Sequence, residues 1–196
     1  MTRRDVIVVA AILLGGLVLH GTAEAAIFSK KGTPDEQRAE IRKMRDQTLK
    51  ELFRVQPDAR RHVEKAAGYA AFSNFGMKIL VAGGGSGTGI AVDNKTKRET
   101  FMKMAEIQAG LGFGVKKFRL VWVFEKKSDL DRFTNSGWEL GAQTTASAKV
   151  AGQGANVVSG AVSVTPGVWL YQLTDDGLAL ELTAKGTKYY KDADLN

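Results

Sequence analysis

The run Gly83-Gly84-Gly85-Ser86-Gly87-Thr88-Gly89 is the first segment whose residue types could do chemistry. A glycine-rich turn can bring backbone N–H groups close to a phosphate. Here the register fails: no lysine stands at the Walker position, and no Gly-x-Gly-x-x-Gly pattern fits. Ser86 also misses a nucleophile elbow, because Thr88 stands where the second glycine belongs. Two histidines are present, His20 and His62. A Ser-His-Asp triad would have to use His62, which sits in a charged Arg-Arg-His segment and is expected at a helix surface. With no cysteine in the chain, disulfides, thiolate catalysis and cysteine-bound metals are excluded, and a zinc site lacks ligands. Asp129/Asp131 and Asp175/Asp176 are the closest carboxylate pairs. A helix start and a turn explain them without catalysis. The expectation is a domain that is not an enzyme and holds no cofactor or metal.

The charge pattern points toward binding. From Lys95 to Lys127 there are nine basic residues (Lys95, Lys97, Arg98, Lys103, Lys116, Lys117, Arg119, Lys126 and Lys127) against Glu99, Glu106 and Glu125. From Thr33 to Lys65 nine basic residues face seven acidic ones, so the excess is local to the later stretch. Such a stretch suits an anionic partner, and outside the cytoplasm that means a lipid surface or polyanionic glycan rather than nucleic acid.

The beginning of the chain bears on that location. Arg3 and Arg4 precede an apolar or glycine run from Val6 to Leu19, and Ala23-Glu24-Ala25 follows with small-x-small spacing. These are the three parts of a cleavable signal peptide over residues 1–25. The run is shorter than the about 20 residues that span a bilayer. Residues 26–32 read as a linker and 33–196 as one domain in the periplasm, able to sit peripherally on a membrane.

The elements that must position these residues fall into two blocks. Thr33-Pro34-Asp35-Glu36 announces a helix with a capping box. Ile41, Met44, Thr48, Leu52 and Val55 then form its buried stripe. Pro57 breaks that helix, and 58–66 reads as a second, shorter one. After Gly68 the period changes to two, with strands expected over 69–72, 80–92 (one strand or a pair), 101–115, 119–124, 138–150, 157–164, 168–173 and 178–183. In the 101–115 run Phe101, Ala105 and Ile107 share one face, and Met102, Met104 and Glu106 the other. A short helix is expected from Ser128 to Gly137, and Asp175-Asp176-Gly177 reads as a hairpin turn. Trp122, Trp138 and Trp169 are read as core. Helices first and many strands after argue for an α+β fold with a mainly antiparallel, curved sheet or partial barrel. The strand glycines suit a strongly bent sheet.

With these elements laid out, residues 38–192 resemble the SYLF-domain family, whose bacterial members are described as lipid-binding. The resemblance rests on Ala66-Ala67-Gly68-Tyr69-Ala70-Ala71-Phe72 running into the glycine segment and on Trp138-Glu139-Leu140-Gly141-Ala142-Gln143-Thr144. Val168-Trp169-Leu170-Tyr171-Gln172-Leu173-Thr174 and the tail Tyr189-Tyr190 complete it. It implies a non-enzymatic binding domain. Eukaryotic members bind phosphoinositide membranes with an N-terminal amphipathic helix implicated, and the fungal branch also binds actin filaments. By position that helix corresponds to 34–55, with Arg42, Lys43, Arg45, Lys50 and Arg54 as implied phosphate contacts. The part expected to transfer to an exported chain is binding of anionic phospholipid or a membrane surface. The alternative is a periplasmic scaffold whose partner is an envelope protein.

Overall fold

The computed structural model describes residues 32–79, 82–109, 114–140, 160–174, 177–179 and 186–196. The expected signal peptide and the linker up to residue 31 lie outside the described residues, as do 80–81, 110–113, 141–150, 157–159 and 180–183 of the expected strands and 175–176 of the expected turn. Helix α1, Pro34–Val55, starts as the sequence dictates. Thr33 Oγ1 accepts from the Glu36 N–H, and the Glu36 carboxylate accepts from the Thr33 N–H at 2.7 Å. Ile41, Thr48 and Leu52 are buried on the expected stripe. After Pro57, α2 runs Asp58–Lys65, and α3, Lys127–Ser136, ends at Gly137 with φ of 76°.

Among the described residues nine strands form one antiparallel sheet: β1 Gly68–Ile79, β2 Ala82–Asp93, β3 Glu99–Ala109, β4 Gly114–Phe124, β5 Trp138–Leu140, β6 Val162–Thr165, β7 Val168–Thr174, β8 Gly177–Ala179 and β9 Thr187–Lys191. Their order is β5-β9-β3-β2-β1-β4-β7-β6, with β8 added to β7 across a hairpin pairing Thr174 with Gly177. The α+β expectation holds. Two strand readings are corrected. The first strand is not confined to 69–72, because β1 stays paired to β2 through Ile79. The alternating run 101–115 is not one strand: Val115 belongs to β4, which pairs with β1 and β7, whereas β3 pairs with β2 and β9. Periodicity cannot see that break, since alternation resumes in phase on the next strand.

The sheet curls on itself. Trp122 on β4 and Tyr189 on β9 are four strand positions apart, about 19 Å in a flat sheet. Their ring centroids are 5.0 Å apart. Phe133 of α3 fills the space so enclosed, 4.9 Å from Phe124 and 5.6 Å from Tyr189. Glycine makes this approach feasible at Gly89, where an added Cβ would overlap the Phe72 ring and stand 2.6 Å from the Ala71 oxygen.

Both faces of the central strands are covered, which explains the continuous apolar run Leu120-Val121-Trp122-Val123-Phe124. Leu120, Trp122 and Phe124 join the inner core with Phe72, Met102, Met104 and Tyr189. Val121 and Val123 face outward beneath the helices, in a second cluster with Leu52, Ala59, Val63, Trp169 and Tyr171. On β3 the inner face is therefore the Met102/Met104/Glu106 one, and all three are buried. Phe101 faces outward and is covered with Ile41 and Leu195 in a third cluster.

Candidate functional site

The basic stretch is continuous in sequence but not in space, because β3 and β4 each carry the chain from one end of the sheet to the other. Lys95, Lys97 and Arg98 lie in or beside the β2–β3 turn, fixed by Asp93 Oδ1 accepting from the Lys95 and Thr96 N–H groups at 2.9 and 2.8 Å. Neighbouring acids answer much of the charge there. Lys127 pairs with Asp131 and, at 3.5 Å, with Asp93, while Arg98 lies 3.9 Å from Asp131. Lys116 and Lys117 occupy β4 positions opposite Gly76 and Phe75. That is seven to eight residues along β1 from Gly68, or about 24 Å. Lys103 lies between the two ends and is engaged by Asp192 at 2.7 Å and Asp194 at 3.1 Å. Arg119 is half-buried opposite Ser73.

On α1, Arg42 and Arg45 grip the two oxygens of Glu99 at 2.7 and 2.8 Å. Arg45 also pairs with Asp46 at 2.8 Å. These two arginines clamp α1 to β3, whereas Lys43 is exposed.

Basic and apolar groups do converge between α1 and α2. Asp46, Leu49, Lys50, Phe53 and Arg54 recur at spacings of three, four, seven and eight, hence on one helix face. With Arg60 of α2 they line an open groove of about 450 Å3. Leu49 and Phe53 form its floor by packing against the outer cluster. The Arg60 guanidinium lies over the Phe53 ring at 4.5 Å from the centroid. Arg54 donates two bonds to Glu51 at 3.0 and 2.6 Å and holds that carboxyl below its ordinary range. Asp46 is already paired with Arg45, and Lys50 is exposed with no ion pair among the described residues. The arrangement is an apolar strip rimmed by cations. Lys50 and Arg54 were legible in sequence through the resemblance. Arg60 was not, because only the α1–α2 corner brings it over Phe53.

The opposite side of α2 corrects a second expectation. His62 is not a surface residue: its side chain is 14 % exposed and its ring stands edge-on to Trp169 and Tyr171. Nδ1 lies 3.0 Å from the Tyr171 hydroxyl, and Nε2 is 3.9 Å from Glu125 Oε1. That carboxylate accepts from the Trp169 indole N–H at 2.7 Å. Burial pushes the imidazole below its ordinary 6.5, against the opposing pull of Glu125, and pushes the Tyr171 phenol up to about 12. Among the described residues no group of three or more His, Cys, Asp or Glu could hold a metal ion, and no helix is long and apolar enough to cross a membrane.

Residues 105–196, from mid-β3 onward, match the family Ysc84, described as Las17-binding protein actin regulator. Residues 105–196 therefore carry a SYLF-family domain. The chain is also 34 % identical over 163 residues to Beta cell expansion factor A of Aeromonas veronii. That alignment covers 83 % of this chain and 60 % of the relative, so the chain spans about three-fifths of the curated protein it matches. The matched residues include Trp122, Trp138, Trp169, Tyr171 and Tyr189, the aromatic frame of both cores.

Proposed function

We propose that this SYLF domain is an exported, non-enzymatic module that binds anionic lipid surfaces through the α1–α2 groove. The observation that carries the reading is the cationic rim of Lys50, Arg54 and Arg60 around the apolar floor of Leu49 and Phe53. Cations near an anionic membrane each contribute about 1 kcal/mol, and a half-covered aromatic ring suits the wet-to-apolar boundary of a bilayer. Export and a periplasmic location rest on the three-part leader of residues 1–25. The non-catalytic part rests on the lack of cysteine and the single histidine beyond that leader.

Co-sedimentation with phosphatidylglycerol-containing vesicles tests this. Binding is expected to rise with anionic fraction and to fall as salt shortens the Debye length below about 10 Å. Equal binding to purely zwitterionic vesicles at high salt would overturn the electrostatic mechanism. A scaffold role is the second reading, favoured by the protein-binding description of the Ysc84 family. It predicts no vesicle binding at any salt concentration.

A further inference from the structure

Helix α2 has eight residues, fewer than the roughly 12–15 an isolated helix needs to persist in water. Its N-cap position is Pro57, which supplies no side-chain cap bond. It therefore depends on what it docks against. Ala59 and Val63 are buried in the outer cluster, to which α1 contributes Leu52 and Val55 and β1 contributes Tyr69. Asn94 Nδ2 donates to the Val63 and Ala66 carbonyl oxygens at 2.7 and 2.9 Å. The remaining anchor is His62 on Tyr171.

We propose that His62 is an acid-sensitive latch: neutral, it holds α2 against β7, and protonated, it lets α2 swing away and unroof the α1–α2 groove. The regulation rests on that groove being the lipid-facing site. The titratable groups around the ring are Tyr171 from β7 and Glu125 just after β4, with Asp58 of α2 raising the Tyr171 phenol further. Tyr171 remains a phenol at any mild pH and can donate to Nδ1 or accept from it, so that bond survives protonation. Nε2 is the difficulty. Among the described residues it is buried with no hydrogen-bond partner, and the nearest carboxylate oxygen there is 3.9 Å away and already accepts from Trp169.

A cation there keeps one bond where water would give it two. Because burial depresses the docked ring below 6.5, docking is fully stable above that pH. It weakens as pH falls, until the docked ring itself takes up the proton. Opening α2 would carry Arg60 off Phe53, baring that ring beside Lys50 and Arg54, and would uncover Trp169 and Val63 of the outer cluster. Acid would thus add apolar surface where the cations already converge.

Amide exchange of residues 58–65 in the full chain tests the latch, measured between about pH 7.5 and pH 5.5 and corrected for intrinsic rates. Protection of α2 is expected to fall several-fold on acidification while that of β4 holds. The change is limited to about tenfold per pH unit, because one proton is involved. In His62→Phe the loss should vanish. Glu125→Gln keeps the acceptor for Trp169 but removes the charge that supports a docked cation, so its loss should be deeper than in the wild type. Unchanged wild-type protection, the same loss in His62→Phe, or a Glu125→Gln loss no deeper than wild type overturns the latch. The last comparison decides alone where the phenylalanine variant does not fold. Phosphatidylglycerol vesicles form a separate arm, in which binding should strengthen over the same pH interval. Absence of binding at every pH refutes the lipid reading, whereas the exchange data judge the latch with or without lipid.

Discussion

Neutralising two cations of the groove separates a local site from a general effect of net charge. The double substitution Lys50→Ala/Arg60→Ala removes two positive charges from the rim around Phe53. At about 1 kcal/mol per basic side chain near an anionic surface, the loss is about 2 kcal/mol, or roughly 30-fold in vesicle affinity at low salt. The control, Lys95→Ala/Lys97→Asn, also removes two charges, but from the β2–β3 turn. Asparagine suits the left-handed backbone of Lys97, whose φ is 60°. Both altered groove residues are exposed, and losing the Arg60–Phe53 stack costs about 0.5–1 kcal/mol of stability at most. A thermal melt therefore verifies folding before binding is compared. The assay is titration with phosphatidylglycerol vesicles at two salt concentrations. Equal loss in the two variants would refute the groove, because binding would then follow total charge. No loss in either would refute electrostatic docking altogether.

Three further outcomes follow from the packing. Leu52 is fully buried between α1 and the sheet, so Leu52→Ala should cost about 2–5 kcal/mol, read from denaturant unfolding. Gly89→Ala forces a methyl group onto Phe72 and the Ala71 carbonyl. It should destabilise the domain by about 1–3 kcal/mol and lower the melting temperature while leaving the α1–α2 groove intact. The Tyr171 phenol is held up to about 12 by burial, so it stays protonated through pH 10 and stabilises the fold less as pH rises beyond the ordinary 10. In an absorbance titration, Tyr171→Phe should leave the phenolate signal up to about pH 11 unchanged. A diminished signal would mean that the ring is not buried as described.

Much of the fold could be read directly. The capping box at Thr33–Glu36, the break at Pro57, the α3 stop at Gly137 and the strand role of the glycine segment all depend on short-range chemistry, and each appears at the stated residues. The errors share one cause. The split of 101–115 between β3 and β4 and the burial of His62 both depend on partners far away in sequence. Met102 and Met104 face the core because the sheet curls toward α3, not because their local pattern differs from that of Phe101 and Ala105. The candidate site was legible in part. Lys50 and Arg54 were implied by the resemblance, but the run Lys95–Lys127 does not converge as a whole, since antiparallel strands separate neighbours by the length of the sheet.

By itself the sequence determined the order of elements, the apolar stripes, the leader-like start and the poverty in catalytic groups, all properties of residue type and spacing along a chain. The tertiary structure decided which charges meet. Arg42 and Arg45 are joined by Glu99, Lys103 is held by Asp192, Arg60 is brought over Phe53, and His62 is buried against Tyr171. The physical reason is that electrostatics and desolvation act through space over a few ångströms. Whether a lysine is a free cation or half of an ion pair, and whether a histidine is wet or buried, is set only when distant segments pack.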